Sequence, residues 1–391
     1  MKIIKYSLVL VFIIILLPSQ SFADNTKEEE LGKILYFDKN LSINRNQACA
    51  SCHTPPTFVD PDNLKDPVNS VVSLGSIRTL NGTRNAQSAA YAAFSPFFHW
   101  DSVEGLYVGG QFWDGRANTL SEQAQGPFVN PVEMGMPNKR AVLERIADED
   151  NPNKKKYKKL FKKVYKVDID DDGAFDNETY VNAVYALMAD AIAAFEKTGT
   201  FNQFSSKFDY FLAGMAELTP EEQFGLEVFN GKAQCNACHV SDPLVAPDGS
   251  VMPPMFTDFT YDNIGIPKSQ NPLIVDAPVD LGLGGREDIK ARNSDGSEEG
   301  KHKVMSLRNI GATPPYGHNG FFATLEDITH FYNTRDVEAW PAPEVPQNLN
   351  VTELGDLRLT PEEEAAVVAF MKTLTDGYGP PLNDFAFPPF P

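Results

Sequence analysis

All four cysteines of this 391-residue chain sit in two Cys-x-x-Cys-His runs, Cys49-Ala50-Ser51-Cys52-His53 and Cys235-Asn236-Ala237-Cys238-His239. This pentad is the attachment sequence of a c-type haem. Its thiols add to the haem vinyl groups, and the following histidine becomes an axial ligand of the iron. Two copies imply two covalently bound haem c groups. Cys49, Cys52, Cys235 and Cys238 would be the linkages, and His53 and His239 the iron ligands. Other cysteine chemistry fits less well. A zinc site gathers its four ligands in one place, whereas these pairs lie far apart and each has its own histidine. A thioredoxin-type pair belongs in a βαβ setting, which neither flank offers.

Haem attachment needs an oxidising export compartment, and the chain opens like an exported protein. Lys2 and Lys5 precede an apolar run over residues 8–17, and Ser21-Phe22-Ala23 supplies small residues for cleavage. Residues 1–23 therefore read as a signal peptide, with the mature chain starting at Asp24 in the periplasm. The apolar run is short for a membrane span, and no later segment looks apolar enough to cross a bilayer. The formal charge of −19 argues against nucleic acid as a partner.

The elements that must hold the haems form a weak duplication. Leu31-Gly32-Lys33-Ile34-Leu35-Tyr36-Phe37 leads into the first pentad, and Phe224-Gly225-Leu226-Glu227-Val228-Phe229 into the second. Each reads as a helix before a haem-bearing loop, the layout of a small cytochrome c domain used twice. Thr219-Pro220-Glu221-Glu222 is a capping box with proline at the first helical position. Thr360-Pro361-Glu362-Glu363 repeats it ahead of an apolar face of Ala366, Val367, Phe370 and Leu374. Residues 178–196 read as a long helix, and residues 154–166 as a basic helix whose lysines form a solvated face. Residues 54–85 and 240–300 lack periodicity and are rich in Pro, Gly, Asp and Asn. Loops this long are usually functional or disordered; here they are expected to wrap the haems. The fold class is mainly α, with two cytochrome c-like haem domains and long irregular loops. The domains are placed at residues 24–200 and 215–391, with the boundary between 198 and 218.

Longer motifs resemble those of the bacterial dihaem cytochrome c peroxidases and MauG. They are Gln111-Phe112-Trp113-Asp114-Gly115-Arg116-Ala117, then Glu122-Gln123-Ala124 running on through Gly126-Pro127 to Asn130-Pro131-Val132-Glu133-Met134. Leu307-Arg308-Asn309-Ile310 and Pro315-Tyr316-Gly317-His318-Asn319-Gly320 follow in the second half. The resemblance spans nearly all of the mature chain. It implies a peroxidatic haem on His53 and an electron-transferring haem on His239. Above the first haem it implies Gln123, Pro127 and Glu133. A carboxylate there can take a proton from peroxide and return it to the leaving oxygen, Gln123 can orient the peroxide, and Pro127 limits space without offering a donor. Taken alone, Glu133 would read as a surface acid. The resemblance sets Trp113 between the haems as a stepping stone for electrons, although core packing is a tryptophan's usual role. It also implies a calcium ion held by Asn85, Thr313 and Pro315, residues that could otherwise simply make turns.

Two departures point to a subgroup. Reductively activated dihaem peroxidases carry a histidine, between the first pentad and the tryptophan motif, that caps the peroxidatic iron at rest. This chain has no histidine over residues 54–98. Most such members also place a methionine fourteen residues after the histidine of the Pro-Tyr-x-His motif, where MauG has tyrosine. Here that position is Tyr332, which thus becomes the expected second ligand of the haem on His239. Periodicity alone would read Tyr332 as a core residue beside Leu325 and Ile328, with His330, Met305 and Met371 as rival ligands.

The resulting expectation is a periplasmic dihaem peroxidase of the MauG-like kind. It would react with hydrogen peroxide without reductive activation and oxidise an external donor protein. That donor could be a protein substrate being modified, a small cytochrome or a copper protein. A peroxide-scavenging cytochrome c peroxidase and a non-catalytic dihaem electron carrier are the alternatives. Family members are often dimers, which makes a homodimer a further expectation.

Overall fold

The computed structural model describes residues 26–170, 172–245 and 251–382. The expected signal peptide lies outside the described residues. Among them, no helix is long and apolar enough to cross a membrane. The protein is mainly helical; among the described residues strand is confined to three short antiparallel pairs, β1 (His99–Asp101) with β2 (Leu106–Val108), β3 (Leu244–Val245) with β4 (Val251–Met252), and β5 (Tyr261–Asp262) with β6 (His302–Lys303).

Helix α1 (Lys27–Phe37) starts at a capping box. Thr26 Oγ1 accepts from Glu29 N at 3.2 Å, and Glu29 Oε2 accepts from Thr26 N at 2.8 Å. Such a cap contributes about 1 kcal/mol. The face of α1 carrying Leu31, Gly32, Leu35 and Tyr36 is buried. It packs on a long helix, Glu178–Glu196, whose buried residues include Met188, Ile192 and Phe195. At the crossing a Cβ on Gly32 would stand 1.8 Å from Ala191 O and 2.9 Å from Phe195 Cβ, so only glycine lets the two backbones meet.

The second half repeats this crossing. Helix Pro220–Asn230 and helix Pro361–Lys372 start at the capping boxes of Thr219 and Thr360. Where they cross, a Cβ on Gly225 would stand 1.9 Å from Ala366 O and 2.9 Å from Phe370 Cβ. The duplication faintly visible in sequence is thus one helix crossing built twice, with Gly32 and Phe195 answered by Gly225 and Phe370.

Each crossing sits in its own apolar core. One draws on Leu35, Tyr36, Phe128, Tyr157, Tyr185 and Phe195. The other draws on Phe208, Phe229, Phe256, Phe331 and Phe370. Polar clamps join the halves. Arg84 grips Asp280 through Nε and Nη2 at 2.6 and 2.7 Å and reaches Asp114 at 2.7 Å. Arg308 forms a two-pronged pair with the buried Asp209 at 3.0 and 3.1 Å, and its guanidinium lies over the rings of Tyr91 and Phe204.

Candidate active site

The first pentad forms its own short helix, Cys49–Cys52, with His53 as its C-cap. Tyr36 donates to His53 O at 2.9 Å, tying the loop to α1. His53 Nδ1 lies 3.2 Å from Phe58 O, and His239 Nδ1 lies 2.9 Å from Phe256 O. An Nδ1–H donated to a carbonyl fixes the tautomer and leaves the Nε2 lone pair free for a metal. Phe58 and Phe256 both hold a left-handed backbone, φ 55° and 53°. Such strain gathers at functional sites, and here it aims the carbonyl that orients each histidine. Burial lowers the pKa of both imidazoles, favouring the neutral form a metal requires.

These donors fit haem c. Beside Cys235, Cys238 and His239 opens a cavity of about 1830 Å³ counting its mouth. Its walls include Phe229, Leu325, Ile328, Val367 and Met371, an apolar lining suited to a porphyrin. Tyr332 lines the same cavity. Of its rivals, His330 turns away to Glu364 and Glu338, at 3.0 and 3.2 Å. Met305 and Met371 line the same cavity; the sulfur of Met305 takes a hydrogen bond from Gln87.

Gln123, Pro127 and Glu133 come from one folded segment. Gln123 is half-buried on the short helix Leu120–Ala124, and Pro127 opens the next, Gly126–Val129. Tyr185 anchors the junction by donating to Gln125 O at 2.6 Å. The chain then doubles back. Met134 N donates to Pro127 O at 3.1 Å, Met136 N to Phe128 O at 2.8 Å, and Glu133 N to Asn130 O at 3.0 Å. This brings Glu133 back beside Pro127. Burial raises the Glu133 carboxyl above its usual range, against the opposing pull of Arg116 and a hydrogen bond from Asn130.

Glu133 also lies near the first pentad. Its charge acts on both Cys49 and Cys52, alongside that of Glu196 on Cys49 and that of Asp60 on Cys52. The loop of residues 73–85 closes against the same place. Ser76 N donates to Glu133 O at 2.7 Å, and Gln47 Nε2 donates to Leu74 O at 3.0 Å. That loop contains no His, Met, Cys, Lys or Tyr.

Trp113 donates its indole N–H to Asn85 O at 3.0 Å and meets His302 and His318 edge-to-face at 6.3 and 6.5 Å. Asn85 Nδ2 in turn donates to Pro315 O at 2.6 Å, so two of the three expected calcium ligands touch. Thr313 lines the same cavity. Sequence reasoning missed three features here: the Phe58 and Phe256 carbonyls, Arg116 beside Glu133, and a stack of His302 on His318. Arg116 stood inside a recognised motif; the others left no signal.

Known proteins resemble this chain along most of its length. Residues 26–217 match the family model for di-haem cytochrome c peroxidase. The chain is 38% identical over 393 residues to the methylamine utilization protein MauG of Paracoccus denitrificans, covering 94% of this chain and 95% of that protein. It is 30% identical to the cytochrome c551 peroxidase of Nitrosomonas europaea, covering 90% of this chain and 81% of that one. Among solved structures, the diheme peroxidase BthA of Burkholderia thailandensis superposes with a TM-score of 0.77 at 28% identity, over 92% of this chain and 88% of that one.

Proposed function

Because the chain belongs to the dihaem cytochrome c peroxidase and MauG family, a family of oxidoreductases acting on peroxide, we propose that it works in the MauG-like manner. Its peroxidatic site at Cys49–His53 takes up hydrogen peroxide with no prior reduction, and Tyr332 joins His239 on the second haem. Both haems are covalently attached, one in each of the domains at residues 24–200 and 215–391, and the enzyme acts in the periplasm.

When bound, the haem pair supplies the redox chemistry by which one hydrogen peroxide and two protons become two waters, with two electrons drawn from a donor protein. The protein's own groups manage protons and geometry. Glu133, as carboxylate, accepts the proton from one peroxide oxygen and returns it to the other, which then leaves as water. A carboxyl whose pKa is raised by burial serves both steps better than a strong acid would. Gln123 orients the peroxide by hydrogen bonding. Pro127 lacks an N–H and confines the space. Trp113, held by Asn85, stands on the route by which electrons cross between the halves.

One observation carries the MauG-like reading. The loop of residues 73–85 packs against Glu133 yet offers no side chain able to cap an iron. The test is the spin state of the first haem in the as-isolated ferric protein, read by EPR and resonance Raman. A high-spin, five-coordinate or water-bound signal is expected. Two low-spin, six-coordinate haems would overturn the reading and favour a reductively activated enzyme or a plain electron carrier.

A further inference from the structure

The hairpin of β1 and β2 holds an exposed indole over a buried run of rings. Trp100 is 46% exposed. It stands opposite Tyr107 across the hairpin and meets that ring edge-to-face, with centroids 4.8 Å apart. Tyr107 is buried and stacks on Phe98 at 5.3 Å with the planes 6° apart. Phe98 meets the buried Tyr261 edge-to-face at 5.9 Å.

The inner end of this run lies against the turn that carries Trp113. A Cβ on Gly115 would stand 2.1 Å from Tyr261 Oη and 2.8 Å from Phe98 Cδ2, so glycine there lets both rings reach the turn. Strand β5, which holds Tyr261, pairs with β6, and Lys303 N of β6 donates to Trp113 O at 2.9 Å. Asp262, the neighbour of Tyr261, lines the cavity beside His239.

We propose that Trp100 is the surface redox terminus of this aromatic run. A one-electron donor delivers electrons there, and without a donor the oxidising equivalent left by peroxide comes to rest there. The proposal rests on the peroxide reaction described above and adds the point of electron entry.

Ring type and proton supply both select Trp100. Indole and phenol are the side chains that lose one electron most readily, and the π system of Phe98 bridges two phenols. An oxidised ring settles where its proton can leave. Tyr107 donates to Asn293 Oδ1 at 2.8 Å and Tyr261 to Gly109 O at 2.5 Å, and neither an amide nor a peptide carbonyl is a base that keeps a proton. Burial also raises the Tyr261 phenol above its ordinary pKa. Of the three tryptophans, Trp113 gives its N–H to Asn85 O and Trp340 gives its own to Thr334 Oγ1. The Trp100 N–H has no hydrogen-bond partner among the described residues, on a side chain open to water. The indole thus passes one electron inward and its N–H proton to water. The donor then returns the electron and water the proton. Two such passes supply the two electrons that one peroxide takes.

The haem-loaded protein is treated with hydrogen peroxide and a nitroso spin trap, without a donor, and the trapped peptides are identified by mass spectrometry. An adduct on Trp100 is expected. Trp100→Phe, which keeps a ring on Tyr107, should abolish adducts on the hairpin and slow the decay of the bleached Soret band several-fold. Trp340→Phe should leave the Trp100 adduct in place. A bleached Soret band with adducts only elsewhere would overturn the proposal, as would decay in Trp100→Phe at the wild-type rate. A Soret band that waits for one added electron would instead overturn the MauG-like manner. Trapping is then read on the one-electron-reduced protein, where the same adduct upholds Trp100 and its absence overturns it.

Discussion

The indole of Trp113 is held by the backbone carbonyl of Asn85 at 3.0 Å, and the side chain of Asn85 reaches Pro315 O at 2.6 Å. The residue expected to pass electrons is therefore positioned by a residue expected to bind calcium, across the contact between the halves. Removing calcium with a chelator should disturb the EPR and optical spectra of the haems. Asn85→Ala should give the same disturbance and make further chelation silent. Spectra indifferent to both would remove calcium from the account.

Glu133→Gln should slow the reaction with peroxide by about 10²–10⁴-fold while leaving haem attachment intact. The pH dependence has a definite sign. Only the carboxylate can accept the first proton, and burial raises its pKa above the usual range. The wild-type rate should therefore climb with pH through an apparent pKa above that of an ordinary glutamate, a limb absent from Glu133→Gln. Stopped-flow traces across pH decide this, and an unchanged rate would remove Glu133 from the chemistry.

Tyr332→Phe should change the EPR spectrum of the second haem and leave the first as it was. Tyr332 lines the cavity beside His239, whereas His330 is engaged by Glu338 and Glu364. Phenolate favours the higher oxidation states of iron, and methionine raises the potential. Tyr332→Met should thus raise the potential of that haem in a spectroelectrochemical titration. A Tyr332→Phe spectrum identical to wild type would make Tyr332 a wall residue only.

Glu196 is buried beside the first haem site, and burial raises its pKa to about 8. Because the folded-state pKa exceeds the unfolded value, the folded protein holds a proton that the unfolded chain releases. Stability is then full below about pH 4.5 and declines as pH rises toward 8. Glu196→Gln should stabilise the haem-loaded protein by about 2–4 kcal/mol at pH 9 and by almost nothing at pH 4.5. Chemical denaturation at both pH values measures this. An equal effect at both would mean that Glu196 does not titrate in this range.

Much of the architecture was legible in the chain because it is locally encoded. The pentads and the capping boxes at Thr219 and Thr360 each sit in a short stretch whose geometry follows from neighbouring residues. The proposed distal group rests on resemblance, since Gln123 and Glu133 have no local mark of function. What escaped notice depends on long-range contact or on torsions. Nothing in the sequence says that Phe58 and Phe256 adopt positive φ, or that Arg84 meets Asp280 across the halves. The stack of His302 on His318 arises because β6 and the Pro315–His318 turn converge on Trp113, a relation only the fold creates.

A MauG-like enzyme requires an iron at the first site that is open in the resting protein. This is tested most directly by adding one equivalent of hydrogen peroxide to the diferric enzyme, with no reductant, and following the Soret band and EPR spectrum. Rapid bleaching with loss of the ferric signals is expected, because the loop of residues 73–85 supplies no capping ligand. No change until one electron is supplied would contradict it and assign the protein to the reductively activated peroxidases.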